Sequence, residues 1–294
     1  MDIKRVRQIY KTTLAMLDQA LIGQEMAKKV IVSALLCDLN SKLLLIGNTG
    51  MGKTSLTNFL ASSFNKQRIT VTSDLIPSDI QTQLMNAQDM QFLQIDEFNR
   101  ASGKLQSAFL ELFAEKQMTV NGKRYSFKDF YVFATQNSAD SAGIFTVPQA
   151  VYDRFDAAIY LDNLTAEEKR RVLFSGFEPA RQSDISQVDL MIAKLAVDNF
   201  ALDEDDADFM MKVFGIIDNQ EINGQKMFAG SNIRAHKYAL KLAKLSALTN
   251  VRNYLAPSDI VDFIYSLYIH RVDQNVAKFH EKSVEQAFQS MQGQ

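Results

Sequence analysis

The 294-residue chain is 47% hydrophobic and 22% charged, with a formal net charge of −2. That balance supports a sizeable core, leaves room for roughly two domains, and gives no overall attraction to nucleic acid or acidic membranes. A single cysteine, Cys37, excludes an internal disulfide framework and a cysteine metal cluster, which fits a reducing compartment.

In chain order, the first forty residues read as helices. Ile3, Val6, Ile9 and Tyr10 recur at helical spacing, as do Met26, Val30, Ala34 and Leu35. The N-terminal stretch lacks an uninterrupted apolar core, so a signal peptide is not expected. No stretch approaches the roughly 18 apolar residues of a membrane span, and a cytoplasmic protein is expected. LLLI (43–46), bounded by Gly47, suits a buried parallel strand, and TSLTNFLASSF continues as a helix. RITVT (68–72), FLQID (92–96), FYVFAT (130–135) and AAIYL (157–161) are further strands, mostly separated by helix-like segments. Such alternation predicts a parallel sheet with helices on both faces. MTVNGKRYSF (118–127) carries Asn121-Gly122 between strand-like residues, a two-residue hairpin signal.

After Leu161 the strands stop. Thr165 and Glu168 form a capping box, and the pattern stays helical almost to the end. Ala235, Tyr238, Ala239, Leu242 and Leu245 share one helical face. Pro257 opens a further helix with Asp259 in its first turn, and the last dozen residues read as a frayed polar end. The fold class is α/β: a parallel-sheet domain over 1–163 followed by an all-α domain over 164–294. LDEDDADF (202–209) lacks the glycine and distal glutamate of a calcium loop, so its acids suit a helix start. His236, His270 and His280 show no metal spacing.

Gly47-Asn48-Thr49-Gly50-Met51-Gly52-Lys53-Thr54 matches G-x-x-x-x-G-K-[ST], with a strand before it and a helix starting near Thr54 after it, and Ser55 joins the nucleotide-binding candidates. Glycines let backbone N–H groups wrap a phosphate, and the helix adds its positive end. Lys53 would contact the β- and γ-phosphates and the Thr54 hydroxyl would hold Mg²⁺. About forty residues later, FLQID ends in Asp96-Glu97. Asp96 can hold Mg²⁺, and Glu97 can orient or deprotonate the attacking water. FYVFAT runs into Gln136-Asn137, which places a polar side chain within reach of the γ-phosphate. Arg154 precedes a strand, and Arg234 stands near a helix start. Taken alone, Asn137 also suits a loop cap and Arg154 a surface pair with Asp153. Arg234, Lys237, Lys241 and Lys244 also form one basic stripe, usually a wet helix face.

These stretches, in this order, resemble the AAA+ ATPases and, within them, the MoxR family; DEFNRA (96–101) and ATQN (134–137) are the most specific blocks. LIGQEMAKKVIVSALL, SDLIPSDI, GIFTVPQAVYDRFD and GSNIRAHKYALKLAKLSAL also look like family segments, so the resemblance covers most of the chain. It implies an AAA+ P-loop nucleotide domain carrying a helical lid, with ATP and Mg²⁺ bound between them and against the next subunit. Gly47 to Thr54 would be the Walker A loop, with Asp96 and Glu97 as Walker B. Asn137 would be sensor 1, Arg154 the arginine finger given to the neighbour, and Arg234 sensor 2. Ile22, Gly23 and Gln24 would line the adenine pocket. Three departures stand out: Thr49 where proline is common, Gln94 inside the usually apolar Walker B strand, and Gly230-Ser231-Asn232-Ile233-Arg234 in place of Gly-Ala-Ser-Pro-Arg.

The implied function is chaperone-like remodelling or maturation of protein complexes. It would be carried out by a homo-oligomer, expected to be a hexameric ring, beside a partner with a von Willebrand A domain. A nucleic-acid motor is disfavoured by the charge balance. Two rivals are the ATPase subunit of a metal-chelatase-like complex and a nucleotide-dependent scaffold with negligible turnover.

Overall fold

Five parallel strands organise the first half of the computed structural model, which describes residues 2–120, 122–138, 145–174, 180–228, 230 and 232–292. Helices α1 (Ile3–Ala20) and α2 (Glu25–Cys37) precede β1 (Lys42–Ile46). Then follow α3 (Lys53–Ala61), β2 (Lys66–Thr70), α4 (Pro77–Leu84), β3 (Phe92–Asp96) and α5 (Gly103–Glu115). An antiparallel hairpin of β4 (Gln117–Val120) and β5 (Lys123–Ser126) leads to β6 (Tyr131–Gln136), the single turn α6 (Gln149–Tyr152) and β7 (Ala157–Tyr160). Asn121 lies outside the described residues. Pairing of Val120 with Lys123, and Gly122 at φ +76°, fit the expected tight connection.

The sheet order is β2-β3-β6-β1-β7. Every residue of β1 and β3 is buried, as a strand covered on both faces requires. Alternate residues serve opposite sides: Leu43 and Leu45 join one apolar cluster, Leu44 and Ile46 the other. The smaller cluster packs α4 on the sheet through Ile80 and Leu84, and α5 through Phe109 and Phe113, whose rings stack on each other and meet Phe98 and Phe155. Strand β2 begins two residues earlier than its apolar run suggests. It is an edge strand, so Lys66, Gln67 and Arg68 can pair with β3 while facing outward, and only Ile69 of the strand is buried.

The second half contains α7 (Ala166–Phe174), α8 (Gln187–Asp198), α9 (Glu204–Asp218), α10 (Ile233–Thr249), α11 (Ile264–Tyr268), α12 (Gln274–Phe279) and α13 (Glu281–Gln292). The Thr165–Glu168 capping box is present: Thr165 N–H donates to Glu168 Oε2 at 2.7 Å, and Glu168 N–H to Thr165 Oγ1 at 3.2 Å. Asp203 caps α9, accepting from Asp206 N–H at 2.8 Å. The larger apolar cluster is continuous across residue 163. It joins Val6, Leu17 and Leu35 of α1 and α2 to Leu190 of α8 and to Tyr238, Leu242 and Leu245 of α10.

Three expectations need correction. Strands do not stop at Leu161, since β8 (Glu221–Ile222) and β9 (Gln225–Lys226) form a short hairpin between α9 and α10. The segment from Pro257 is not one helix but 3₁₀ turns leading into α11. Its Asp259 is fully buried and accepts from Ala256 N–H, Ser246 Oγ and both terminal nitrogens of Arg252, which tightens the turn on itself. The polar C-terminal stretch is helical to Gln292, because Val284, Phe288 and Met291 recur at helical spacing and are buried.

Candidate active site

The parallel sheet brings the C-terminal ends of β1, β3 and β6 side by side, and one cleft opens there. Its walls are the loop 49–55, Arg68 and Thr70 of β2, Asp96 and Glu97 at the end of β3, and Thr135 and Asn137 at the end of β6. Crevices at the carboxyl ends of parallel strands are the usual ligand sites of such sheets.

The loop after β1 uses its glycines for conformation. Gly50 and Gly52 adopt φ +85° and +80°, which side chains resist, and Gly52 leads directly into α3. Lys53 turns back over its own loop, donating to Gly47 O at 2.5 Å and Asn48 O at 2.8 Å. Burial lowers its pKa, with the Glu97 carboxylate partly opposing that shift. Thr54 and Ser55 lie in the first turn of α3, whose N-terminus faces the cleft.

Asp96 is 5% exposed and heavily bonded. Arg68 Nε donates to its Oδ2 at 2.8 Å, and a second guanidinium nitrogen lies 2.7 Å from the same oxygen. Gln94 Nε2 donates to both carboxylate oxygens, at 3.3 and 3.2 Å. Thr135 Oγ1 donates to Oδ1 at 3.4 Å and accepts from Glu97 N–H at 3.2 Å. Glu97 sits at φ +60°, an uncommon conformation for a non-glycine residue, and its carboxylate pairs with Arg100 at 2.5 Å. Asn137 Nδ2 donates to Thr49 Oγ1 at 2.9 Å, so the tip of β6 is tied to the phosphate loop. Ser138 Oγ adds a bond to Asn48 Oδ1 at 2.8 Å, and Asn99 Nδ2 holds Asn137 O at 3.1 Å. The Asp96 carboxylate and Thr54 hydroxyl are hard oxygen donors in one cleft, a set that suits Mg²⁺.

Ile22, Gly23 and Gln24 do not line this cleft. Ile22 is buried, and the Gln24 amide closes on Asp162, donating to its carbonyl at 2.6 Å and accepting from its N–H at 3.0 Å. The turn thereby clips the start of α2 to the end of β7. Arg154 and Arg234 also lie outside the cleft. Half-buried Arg154 stands between α6 and β7, and exposed Arg234 is in the first turn of α10. They are near enough that Arg154's pKa is lowered first by burial and next by Arg234. The Nε of Arg154 is buried with no hydrogen-bond partner among the described residues. Ser231 lies outside the described residues. The rest of that block is anchored by Asn232 Nδ2, which donates to Asp218 Oδ1 at 2.8 Å, and by His236 Nε2, 2.9 Å from Asp218 Oδ2. The basic stripe of α10 is not simply wet: Lys241 pairs with Asp38, and Lys244 donates to Phe200 O at 3.1 Å.

Sequence reasoning missed Arg68, Asn99 and Ser138, and read Gln94 only as an interruption. Gln94 carried a signal, because a polar residue two before Asp96 must share its strand face. Arg68 carried none, since only the register, which sets it opposite Gln94, brings it to Asp96.

Residues 42–157 match the family model described as the ATPase family associated with various cellular activities (AAA). Chaperone MoxR1 of Mycobacterium tuberculosis is 29% identical over 282 residues, covering 86% of this chain and 72% of the relative. Protein MoxR of Paracoccus denitrificans is 28% identical over 188 residues, 58% of this chain and 54% of the relative. The crystal structure of a proposed ATPase from Cytophaga hutchinsonii superposes with a TM-score of 0.78 at 25% identity, covering 98% of this chain and 94% of that one. Among the described residues, no helix is long and apolar enough to cross a membrane.

Proposed function

We propose that this chain is an AAA+ ATPase of the MoxR family that hydrolyses Mg²⁺-bound ATP in a ring of identical subunits to remodel or mature protein complexes. The observation that carries the reading is the convergence of Lys53, Thr54, Asp96, Glu97 and Asn137 on one cleft while Arg154 and Arg234 stand together outside it. Such a division suits a nucleotide held by one subunit and completed by the next.

In this reading the loop 47–54 binds the phosphates through backbone N–H groups, and Lys53 leaves its own carbonyls to meet the β- and γ-phosphates. Thr54 and Asp96 would hold Mg²⁺, which supplies charge neutralisation at the phosphates when bound. Glu97 takes the proton of the attacking water, and Asn137 fixes that water against the γ-phosphate. Arg154, with Arg234 beside it, faces a neighbouring subunit's phosphates and meets the charge that develops there. Ile22, Gly23 and Gln24 back the adenine end through the clip on Asp162. Residues 1–163 act as the nucleotide domain and 164–294 as the lid. A hexameric ring, a protein substrate, a cytoplasmic setting and a partner with a von Willebrand A domain complete the proposal. The chaperone name of the mycobacterial relative supports its remodelling part.

The test mixes two inactive proteins. Arg154→Ala subunits keep Glu97 but donate no arginine, whereas Glu97→Gln subunits lack the base but still donate Arg154. When subunits exchange, interfaces with both groups form, and phosphate release returns. No recovery on mixing rejects the shared site.

A further inference from the structure

The turn Ile269–Arg271 follows α11 in the helical half, yet its side chains close on the segment that carries Arg154. Arg271 is 5% exposed. One terminal nitrogen donates to Phe155 O at 2.7 Å and to Asp153 O at 3.4 Å; the other donates to Leu267 O at 3.0 Å. The two distant carbonyls belong to the residues immediately before and after Arg154. The second nitrogen also lies 2.9 Å from His270 Nε2. The same ring nitrogen lies 3.1 Å from Phe155 O, so both side chains of the turn reach that carbonyl. Burial, followed by the Arg271 charge, holds the His270 pKa well below the ordinary histidine value. Gln149 Nε2 donates to His270 O at 3.1 Å, which ties α6 to the same turn.

Taking a guanidinium out of water is unfavourable unless its donors are used. Here they are used on backbone rather than on a carboxylate, and that backbone leads into and out of Arg154. The Nε of Arg154 has no hydrogen-bond partner among the described residues, so its main chain contributes much of its placement.

We infer that Arg271 is a positioning residue for Arg154, setting the direction in which that side chain leaves the subunit by holding the carbonyls on both sides of it. The inference rests on the reading of Arg154 as the arginine supplied to phosphoryl transfer. Because Arg271 belongs to the helical half, any shift of that half carries Arg154 with it.

Arg271→Lys keeps the charge but replaces a planar fork, whose two ends reach Phe155 O and Leu267 O, by a compact ammonium that does not hold both. A fluorescent ADP should still bind the variant's own cleft as in the wild type. Amide hydrogen exchange over 153–157 should quicken, and turnover should fall on the order of 10²-fold, the scale of a misplaced catalytic group. The double variant Arg154→Ala/Arg271→Lys should be no slower than Arg154→Ala alone, since both remove one function. Losses that multiply, unchanged exchange, or weakened ADP binding would overturn the inference. The milder Gln149→Ala should show the same pattern at smaller size, so a poorly folding Arg271→Lys still leaves a decision. Failure of the mixed-subunit recovery rejects the shared site alone, while the double variant decides Arg271. Full activity of Arg154→Ala removes both.

Discussion

The cleft at the strand ends and the arginine face beside α6 are built on opposite principles. In the cleft, charges of both signs are close and bonded: Asp96 to Arg68, Glu97 to Arg100, Lys53 to loop carbonyls. On the other face Arg154, Arg234 and Arg271 lie close together; burial is the main cause of the lowered pKa values of Arg154 and Arg271, Arg234 adds to it, and Asp153 opposes it in part. One region holds its polar groups ready for a ligand that replaces existing bonds. The other concentrates positive charge where an anion would relieve it. In the function proposed above, a nucleotide seated in the first region would find its complement in the second region of a neighbouring subunit.

The largest effect should come from the arginine face. Arg154→Ala should lower turnover by roughly 10³–10⁵-fold while nucleotide binding in the same subunit stays intact. Steady-state phosphate release together with equilibrium binding reads both, and parallel losses would merge the two regions into one site. Next, Glu97→Gln should keep ATP affinity and cut hydrolysis by roughly 10²–10⁴-fold, the scale for a positioned base. Equal turnover would remove Glu97 from that role. Gln94→Leu should raise the Mg²⁺ concentration needed for half-maximal nucleotide binding by roughly 10–100-fold, since it removes the donor that contacts both oxygens of Asp96. An unchanged Mg²⁺ titration would make Gln94 a tolerated interruption of the strand. The smallest change has the opposite sign. Arg68→Ala removes a partly exposed ion pair that competes for Asp96, so the Mg²⁺ requirement should fall by about 2–5-fold, the worth of such a pair. A rise would show that Arg68 supports the loaded site instead.

The two regions also differ in how far the sequence discloses them. Loop 47–54 was legible because its spacing and its glycines act locally, and Asp96-Glu97 because it closes an apolar run. Asn137 was legible as a polar strand tip, and its bond to Thr49 places it in the cleft. Arg68 was hidden because edge-strand register is a tertiary fact, and Arg271 because it acts on backbone more than a hundred residues earlier in the chain. Elsewhere, α13 was masked by its many polar residues, although Val284, Phe288 and Met291 form the stripe that buries it. The 3₁₀ turns after Pro257 were masked because Asp259 suits a helical first turn as well as the tight turn it closes.

The apolar cluster that runs across residue 163 bears on how the protein is made. Helix α1 leaves the ribosome well before α10, which ends at Thr249 and packs against it. At synthesis rates of 5–20 residues per second, that partner arrives roughly 10–50 seconds later. For that interval the stripe of Val6, Ile9 and Leu17 lacks part of its final covering, and the nascent chain is itself a candidate for the holding proteins of its cell.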